Sequence, residues 1–307
     1  MGNLNFRHLP FCAENTLQEF KSYITLNPKR FLKKDSVLIL VCGKKPSDKK
    51  KTGRSYLIEY GRKHLKQFKF FEAEKVIGSV SEKKYDLLSI EDKLSTYSDC
   101  IIIILESEGA IAEAGAFAIR DEIAKIVLLI NDTKFEEEES FINLGPIAKI
   151  ERVSKFGKAI YTNTESILNA ATEITQRLAK IERSRRKGYD LRSLETLDAC
   201  PPKIKMLFLA DLISLFSPIK YGDIIRILKV CYGEQHVEID VELGMLMALN
   251  LIEETDGYYW RSNYEKGLFF DFDDVGLIRL RSGVVNYYSK YFKERLAVLK
   301  NRAEKRE

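Results

Sequence analysis

Three glutamates follow a run of aliphatic residues in the first half of the chain. Residues 100–105 read CIIIIL, and Glu106, Glu108 and Glu113 follow with small residues and Gly109 between them. If a helix begins after this run, its unpaired backbone N–H groups and its dipole favour the ionised form of a carboxylate near its start. Such a carboxylate can act as a nucleophile or stabilise a cationic sugar.

The turn between the aliphatic run and the helix is also where phosphate-binding loops lie. Here the turn carries several negative charges and matches neither GxGxxG nor GxxxxGK[ST]. A phosphate lying directly on it would be repelled. The oxocarbenium-like state that forms when an N-glycosidic bond breaks is stabilised by a carboxylate, so the stretch favours that chemistry.

The composition is that of an ordinary globular protein. The 307 residues are 45% hydrophobic and carry a net charge of +5. The five cysteines are scattered and lack metal-ligand or CxxC spacing, so we expect reduced thiols, a cytoplasmic protein, no metal site and no cofactor. There is no export signal, and no apolar run approaches the roughly 20 residues that span a bilayer, so we expect no membrane association.

Strand and helix patterns alternate through the first 180 residues, which predicts a doubly wound parallel α/β sheet. Apolar runs predict strands at residues 36–43, 69–77, 100–105, 125–132 and 158–162. Between and after them, helices are predicted at residues 55–68, 89–99, 110–123 and 164–180. In such a sheet, ligands bind beyond the carboxyl ends of the strands, where strand order reverses.

Residues directly after the predicted strands are therefore candidate substrate contacts, namely Gly43, Ser107, Gly109 and Asp132. Asp132 suits ribose hydroxyls, although Asn-Asp-Thr is also a turn sequence. Asn143 either completes a site or caps the Gly-Pro turn that follows it. Glu106 is a second catalytic candidate or a solvated charge at a strand end, and Glu108 and Glu91 read as surface residues. The basic loop at residues 44–54 either meets a pyrophosphate or is solvated.

The composition changes after residue 182. We predict an N-terminal helical extension at 1–34, a catalytic domain at 35–182, a basic linker at 183–202 and a further domain at 203–307. Three helical patterns followed by the turn Asp256-Gly257 between β-prone arms are typical of a winged helix, with a basic C-terminal helix. Basic clusters at residues 177–192 and 290–306 fit nucleic acid or a ribonucleoprotein.

These segments together resemble a known family. The run LLSIED at residues 87–92, the CIIIIL strand, ESEGAIAEAGAF at residues 106–117 and SFINLGPI at residues 140–147 are similar to the nucleoside deoxyribosyltransferase-like effectors of type II retron antiphage systems, which also carry a C-terminal winged helix. The resemblance covers most of the chain and places Glu113 at the catalytic glutamate of the family.

Several positions depart from the family pattern. Leu105 and Glu108 stand where the family has prolines, and Ala110 and Ala114 replace a serine and a leucine. In the broader deoxyribosyltransferase family an aspartate stands six residues before the catalytic glutamate, and that position here is Ser107. In that broader family a residue like Asn143 completes the site of a neighbouring subunit, which implies a homo-oligomer.

The resemblance implies an N-glycosidase toxin that acts on NAD, or on a related nucleotide, as its substrate. It also implies that a reverse transcriptase bound to its branched RNA–DNA product (msDNA) holds the toxin inactive. Two other functions stay open. One is a nucleoside deoxyribosyltransferase or deoxynucleotide hydrolase, and the other is a non-enzymatic nucleotide-sensing regulator with a winged-helix output.

Overall fold

The chain forms two compact units in the computed structural model. One unit is Ser36–Arg183, and the other combines Met1–Asp35 with Ser184–Glu307. The structure describes residues 12–26, 29–34, 36–47, 50–78, 86–182, 188–191, 201–233, 238–262 and 267–304.

Strands and helices are numbered in chain order. The strands are β1 (Lys29–Phe31), β2 (Val37–Cys42), β3 (Phe68–Phe71), β4 (Cys100–Ile104), β5 (Val127–Asn131), β6 (Ile160–Tyr161), β7 (Gly188–Asp190), β8 (Ile219–Lys220), β9 (Ile252–Thr255) and β10 (Tyr258–Arg261). The helices are α1 (Glu14–Thr25), α2 (Gly53–His64), α3 (Ala73–Ile77), α4 (Leu87–Tyr97), α5 (Glu108–Ala118), α6 (Asp121–Ala124), α7 (Ala148–Val153), α8 (Ala171–Leu178), α9 (Pro202–Phe216), α10 (Tyr221–Tyr232), α11 (Asp240–Ala248), α12 (Asp274–Tyr291) and α13 (Lys293–Glu304).

A five-stranded sheet with the order β3-β2-β4-β5-β6 forms the centre of the first unit. Every neighbouring pair in it is parallel, which confirms the predicted parallel sheet. Its central strands are buried along their whole length, because helices cover both faces of a parallel sheet. This is why their sequences are continuous aliphatic runs without polar alternation.

Side chains of β2 alternate between two cores. Val37, Ile39 and Val41 pack in a cluster with residues of α2 and α8. Because successive strand residues point to opposite faces, Leu38, Leu40 and Cys42 face the other side, where α3 and α4 contact β2. The α5 helix contacts β4. The two layers of helices therefore differ in role, since the second layer carries the glutamates discussed below.

The strand order reverses between β2 and β4. The chain runs from β2 outward to β3 and then returns to β4 on the other side of β2. At such a reversal the connections leave in opposite directions, and a crevice opens beyond the carboxyl ends of the two strands. Cys42 and Gly43 leave β2 at this point, and Leu105 and Glu106 leave β4.

Three predicted elements differ from the structure. The strand predicted at residues 69–77 ends at Phe71, and Ala73–Ile77 form the short helix α3 with Ala73 and Val76 buried at helical spacing. The helix predicted at residues 110–123 stops at Ala118, and α6 starts again at Asp121 after the extended residue Arg120. The helix predicted at residues 164–180 begins as a 3₁₀ helix, Thr164–Ala170, and α8 starts only at Ala171. Apolar residues lie on both sides of each break, so the hydrophobic pattern alone did not mark the breaks.

The second unit includes the N-terminal helix in its core. Phe20 of α1 packs its ring against Phe208 and Phe216 of α9. Strand β1 pairs antiparallel with β7, which lies within the range predicted as a linker. The N-terminal segment thus shares a core with the C-terminal helices.

The helices α9, α10 and α11 precede a β9–β10 hairpin, and β8 pairs with the free edge of β10. Asp256 and Gly257 connect the hairpin with positive φ at both residues, 53° and 76°. This confirms the predicted turn, because a two-residue turn of this kind favours Asp-Gly. Tyr258 and Trp260 of β10 are buried.

Among the described residues no helix combines the length and hydropathy required to cross a bilayer. The cysteines Cys12, Cys42, Cys100 and Cys231 are free and buried, and Cys200 lies outside the described residues.

Asp211 of α9 is a fully buried carboxylate that holds the chain after β10. Its oxygens accept hydrogen bonds from the backbone N–H groups of Phe269, at 2.8 and 3.0 Å, and Phe270, at 2.9 Å. Arg261 lies 3.6 Å away. Burial raises the pKa of Asp211 to about 7, although the two N–H groups and Arg261 oppose this shift. The contact fixes residues 269–270 against α9.

We expect Asp211→Ala to lower the free energy of unfolding by about 3 kcal/mol, because two buried N–H groups lose their only acceptor and a cavity forms. Urea denaturation followed by circular dichroism measures this change. Glu294→Ala, at an exposed position of α13, is the control and should stay within about 0.5 kcal/mol of the parent. Equal effects of the two substitutions would contradict the assigned role of Asp211.

Candidate active site at the strand-order reversal

Glu106 is bound to the N-terminus of α2. Its Oε1 accepts from the backbone N–H groups of Lys44 at 3.1 Å and Arg54 at 3.0 Å, and its Oε2 accepts from Gly53 at 2.9 Å. The N–H groups of Gly53 and Arg54 are ones that a helix start leaves without partners inside the helix, and that of Lys44 belongs to the loop after β2. The carboxylate of β4 therefore satisfies the first turn of a helix that follows β2, and it links the two strands across the reversal.

Two glycines make room for this carboxylate. A Cβ at Gly43 would lie 3.0 Å from Glu106 Oε1, and one at Gly53 would lie 3.0 Å from Oε2 and only 2.7 Å from the carbonyl oxygen of Thr164. A backbone oxygen cannot move away as a flexible side chain can, so Gly53 is required by the close approach of the chain at Thr164.

Ser107 and Gly109 form the start of α5. The hydroxyl of Ser107 accepts from the backbone N–H of Ala110 at 3.3 Å and caps the helix. Gly109 and Glu108 are exposed in the first turn, as expected for Glu108. The small residues of α5 bring the helix close to β4 and place Glu113 one turn further along, where it is only partly exposed.

Glu113 lies against the end of β2 and against α4. Its carboxylate forms hydrogen bonds with the Cys42 thiol and with Glu91. The oxygen Oε2 is buried and has no hydrogen-bond partner. Burial raises the pKa of Glu113, and the hydrogen bonds from Cys42 and Glu91 counteract part of that rise. The carboxylate is thus oriented by two donors, while its buried Oε2 keeps an unused capacity to accept or to stabilise a positive charge.

Glu91 is buried, with 7% of its surface exposed, so its interpretation as a helix surface residue was wrong. It lies on α4 on the side that faces Glu113. Burial and the negative charge of Glu113 raise the pKa of Glu91 to about 8. Two carboxyls in contact cannot both ionise readily in a buried site, so they share one proton near neutral pH. Because the pKa of Glu91 is strongly raised, we place that proton on Glu91, which donates it to Glu113.

Arg54 is the buried cation next to this pair. Its guanidinium is 2.9 Å from Glu74 through Nη1 and 3.8 Å from Glu72 through Nε. The sequence pattern placed Arg54 at the end of a basic loop, and its burial was not predicted. Lys50 and Lys51 in the same loop pair on the surface with Glu165 and Glu59.

Asp132 lies at the same edge of the sheet. It caps the short turn that follows β5 by accepting from Lys134 N–H at 3.1 Å, and the hydroxyl of Thr164 donates to it at 3.3 Å. Thr164 is also the residue whose carbonyl approaches Gly53. Asp132 is therefore connected to the Glu106 region through Thr164.

Asn143 begins a π-helical turn, Asn143–Ile147, that contacts α5. Its amide nitrogen donates to the carbonyl oxygens of Phe135 and Glu138, both at 2.7 Å, while its Oδ1 is buried without a partner. The side chain fixes the loop after β5, a different contact from the predicted Gly-Pro cap. Among the described residues, no cluster of three or more His, Cys, Asp or Glu side chains is arranged to hold a metal ion.

The missed residues share one property. Glu91, Glu74 and Arg54 come from three different helices and meet only when β2, β3 and β4 are adjacent. The sequence feature that could have identified Glu91 is a charged residue on the apolar side of an amphipathic helix, since an acid at such a position is rarely buried without a partner. Reading α4 for its buried side would have placed Glu91 with Ile90 and Leu94.

The fold and site define a parallel α/β protein with a proton-sharing pair of glutamates at the strand-order reversal. The chain belongs to the STM3845 retron effector protein family, whose model matches residues 50–254. It is 28% identical to the "Retron Ec73 putative ribosyltransferase/DNA-binding protein" of Escherichia coli, across 92% of this chain and 94% of that protein. It is 24% identical to the "Retron Ec86 putative ribosyltransferase/DNA-binding protein" of the same organism, across 67% of this chain and 70% of that protein.

We expect Glu106→Ala to destabilise the protein by about 3 kcal/mol, because two backbone N–H groups at the start of α2 and one in the loop after β2 lose a charged acceptor. Glu108→Ala is a matched control two residues away, with an exposed side chain, and should change stability by less than about 0.5 kcal/mol. Chemical denaturation of both variants tests this. If Glu106→Ala were as stable as Glu108→Ala, the hydrogen bonds to α2 would not contribute to stability.

Proposed function

We propose that the protein is an N-glycosidase effector of a retron that cleaves NAD or a related nucleotide at the glycosidic bond. The observation that carries this proposal is the state of Glu113. Its carboxylate is oriented by Cys42 and by a protonated Glu91, and Oε2 is buried without a partner. A desolvated carboxylate oxygen with no competing donor is suited to an electron-poor sugar carbon.

In the proposed reaction, the bond between the anomeric carbon and the ring nitrogen breaks and its electron pair goes to the nitrogen. Nicotinamide then leaves as a neutral molecule, so no acid is needed on the base side. Glu113 either stabilises the oxocarbenium ion, to which water adds, or bonds to the anomeric carbon. In the second case water displaces the Glu113 oxygen, and the electron pair of the broken carbon–oxygen bond returns to the carboxylate. In both cases the added water loses a proton to solvent. Glu91 holds Glu113 in position and keeps the pair at one negative charge.

The chemistry of deoxyribosyl transfer, or of deoxynucleotide hydrolysis, uses the same carboxylate. The names of both relatives contain "ribosyltransferase", which supports glycosyl transfer in a general sense and leaves base exchange as the second candidate. The products distinguish base exchange from hydrolysis, since exchange yields a new nucleoside and hydrolysis yields a sugar with a free anomeric hydroxyl group. Gly43, Ser107, Gly109, Asp132 and Asn143 stay predictions as substrate contacts, and Glu106 stays a prediction as a catalytic helper.

We propose that the first unit has a nucleoside deoxyribosyltransferase-like fold. For the C-terminal unit we propose a winged helix that docks onto a reverse transcriptase with its msDNA. Support comes from the three helices and hairpin and from membership in a retron effector family. The helix before the hairpin, α11, has the sequence DVELGMLMA, with two acids, no basic residue and seven of nine residues buried. Such a helix lacks the cations that contact phosphates in a duplex groove, which disfavours the regulator alternative.

We expect purified protein without its partner to release nicotinamide from NAD, and Glu113→Gln to lower the rate by at least roughly 1,000-fold, because a neutral amide neither attacks nor stabilises a cationic sugar. Chromatography of the products measures release. Glu108→Gln should retain the parent rate. Added reverse transcriptase–msDNA complex should suppress release in the parent.

Release that persists in Glu113→Gln would overturn the assignment of the nucleophile. Turnover of deoxynucleosides with NAD left intact would support the transferase or hydrolase alternative. Tight nucleotide binding without any turnover would support a sensor.

We expect a bell-shaped pH dependence of kcat/KM. Activity falls in acid because Glu113 becomes protonated, and it falls above pH about 8, where Glu91 loses its proton and the second negative charge repels Glu113. Glu91→Gln keeps a hydrogen-bond donor but cannot ionise, so this variant should retain activity at pH 9 relative to pH 7. The pH profiles of both proteins test this, and an identical decline above pH 8 in Glu91→Gln would assign that limb to another group.

A further inference from the structure

Arg54 occupies a constrained position in the first turn of α2. Only 4% of its surface is exposed. Its backbone N–H donates to Glu106 at 3.0 Å, and its guanidinium contacts Glu74 at 2.9 Å and Glu72 at 3.8 Å. The backbone of Arg54 is thus held by Glu106, which follows β4, and its guanidinium is held by Glu74 of α3.

The same residue joins the carboxyl ends of three neighbouring strands. It follows β2, its backbone is fixed by the end of β4, and its guanidinium meets the segment directly after β3. Its Cβ is 3.3 Å from where a Cβ on Gly43 would be. Gly43 follows Cys42, whose thiol is hydrogen-bonded to Glu113. Arg54 therefore packs against Gly43, the residue next to Cys42, and the Cys42 thiol orients the proposed nucleophile Glu113.

The charges around Arg54 are mainly negative. The groups that face this region come from β2, the ends of β3 and β4, and the helices α3, α4 and α5, and they are Cys42, Glu72, Glu106, Glu74, Lys75, Glu91 and Glu113. Lys75 is half exposed and pairs with Glu72 at 2.6 Å. Glu106 is satisfied by backbone N–H groups. Arg54 is thus the buried cation of the region, opposite Glu74, Glu91 and Glu113.

We propose that Arg54 is a positioning residue for the reaction. Its buried guanidinium, 2.9 Å from Glu74 and 3.8 Å from Glu72, is the counter-charge that allows Glu113 to be ionised beside other carboxyl groups. It acts through the carboxylates and does not contact the substrate. This inference rests on the proposed function for its kinetic consequence, but its electrostatic content concerns the free protein.

The charges of Arg54 and Glu74 act on the pKa values of the neighbouring groups in the directions that this role requires. Arg54 lowers the pKa of Glu113, of Glu91 and of Cys42, while Glu74 raises the pKa of both glutamates. Removing Arg54 would leave the effect of Glu74 unopposed. Arg54 is buried, so salt screens its effect on Glu113 only weakly, whereas the partly exposed Glu74 is screened more strongly.

The test compares Arg54→Met, Arg54→Lys and Glu74→Gln in the full-length chain. In Arg54→Met, kcat/KM should fall roughly tenfold more at pH 6 than at pH 8, because one neighbouring charge shifts a carboxyl titration by about one pH unit or more. Arg54→Lys should restore the parent acid limb. Glu74→Gln should move the limb to lower pH, the opposite direction.

A second readout does not depend on turnover. Carbon-13 NMR of labelled glutamate carboxyls in the substrate-free protein follows the titration of Glu113, which is assigned by its absence in Glu113→Gln. Its midpoint should rise in Arg54→Met and fall in Glu74→Gln. If Arg54→Met does not fold, Glu74→Gln and Arg54→Lys still decide the question.

Unchanged midpoints in folded Arg54→Met, or in Glu74→Gln, would overturn the proposal. Shifted midpoints in a protein that cleaves no nucleotide would support the role of Arg54 and contradict the proposed function instead.

Discussion

The hydrogen bonds between Glu106 and the first turn of α2 hold the site together. Parallel strands leave their connecting loops free at the carboxyl edge, so something must fix the start of the helix after β2 relative to β4. Glu106 does so through three backbone N–H groups. Because the backbone N–H of Arg54 is one of the donors, the same contact also fixes the backbone from which the Arg54 side chain extends.

Glu106 and Glu113 lie in one short stretch of sequence but have different hydrogen-bond partners, and this difference decides which of them can act on a substrate. Glu106 is satisfied by fixed N–H dipoles, which stabilise its charge without adding another ionisable group. Glu113 has a thiol and a carboxyl for partners, and burial raises its pKa. A carboxylate that is fully satisfied is a poor ligand for a cation, whereas one with a free, desolvated oxygen is a good one. The assignment of chemistry to Glu113 depends on this difference.

The sequence predicted the parts of the fold that are set locally. Continuous aliphatic runs predicted β2, β4 and β5, and Asp-Gly predicted the hairpin turn. The strand predicted at residues 69–77 was half wrong because it was extended past Phe71, where the buried residues Ala73 and Val76 have helical spacing. Local reading also could not predict that α1 packs with α9, since a contact between residues some 190 positions apart leaves no mark within either segment.

The site was predictable only where it is contiguous. Glu108 is exposed as expected, and Glu113 was identified from its spacing and from the family resemblance, whereas the role of Ser107 as the cap of α5 was not predicted. Glu91 and Arg54 were not, because their importance arises from strand order. The helical pattern of α4 does not show that its acid Glu91 will be buried next to a carboxyl group from α5. That burial, together with the negative charge of Glu113, raises the pKa of Glu91 to about 8.

The occupancy of α2 by Glu106 also limits how a nucleotide can bind. Helix starts at this edge of α/β sheets commonly bind phosphate through free N–H groups. Here Lys44, Gly53 and Arg54 already donate to Glu106. A phosphate bound at this edge would have to be met by side chains, of which the lysines of the loop before α2 are the nearest cations along the chain. The acidity of the edge is therefore compatible with a nucleotide only if its sugar faces Glu113 and its phosphates lie away from Glu106.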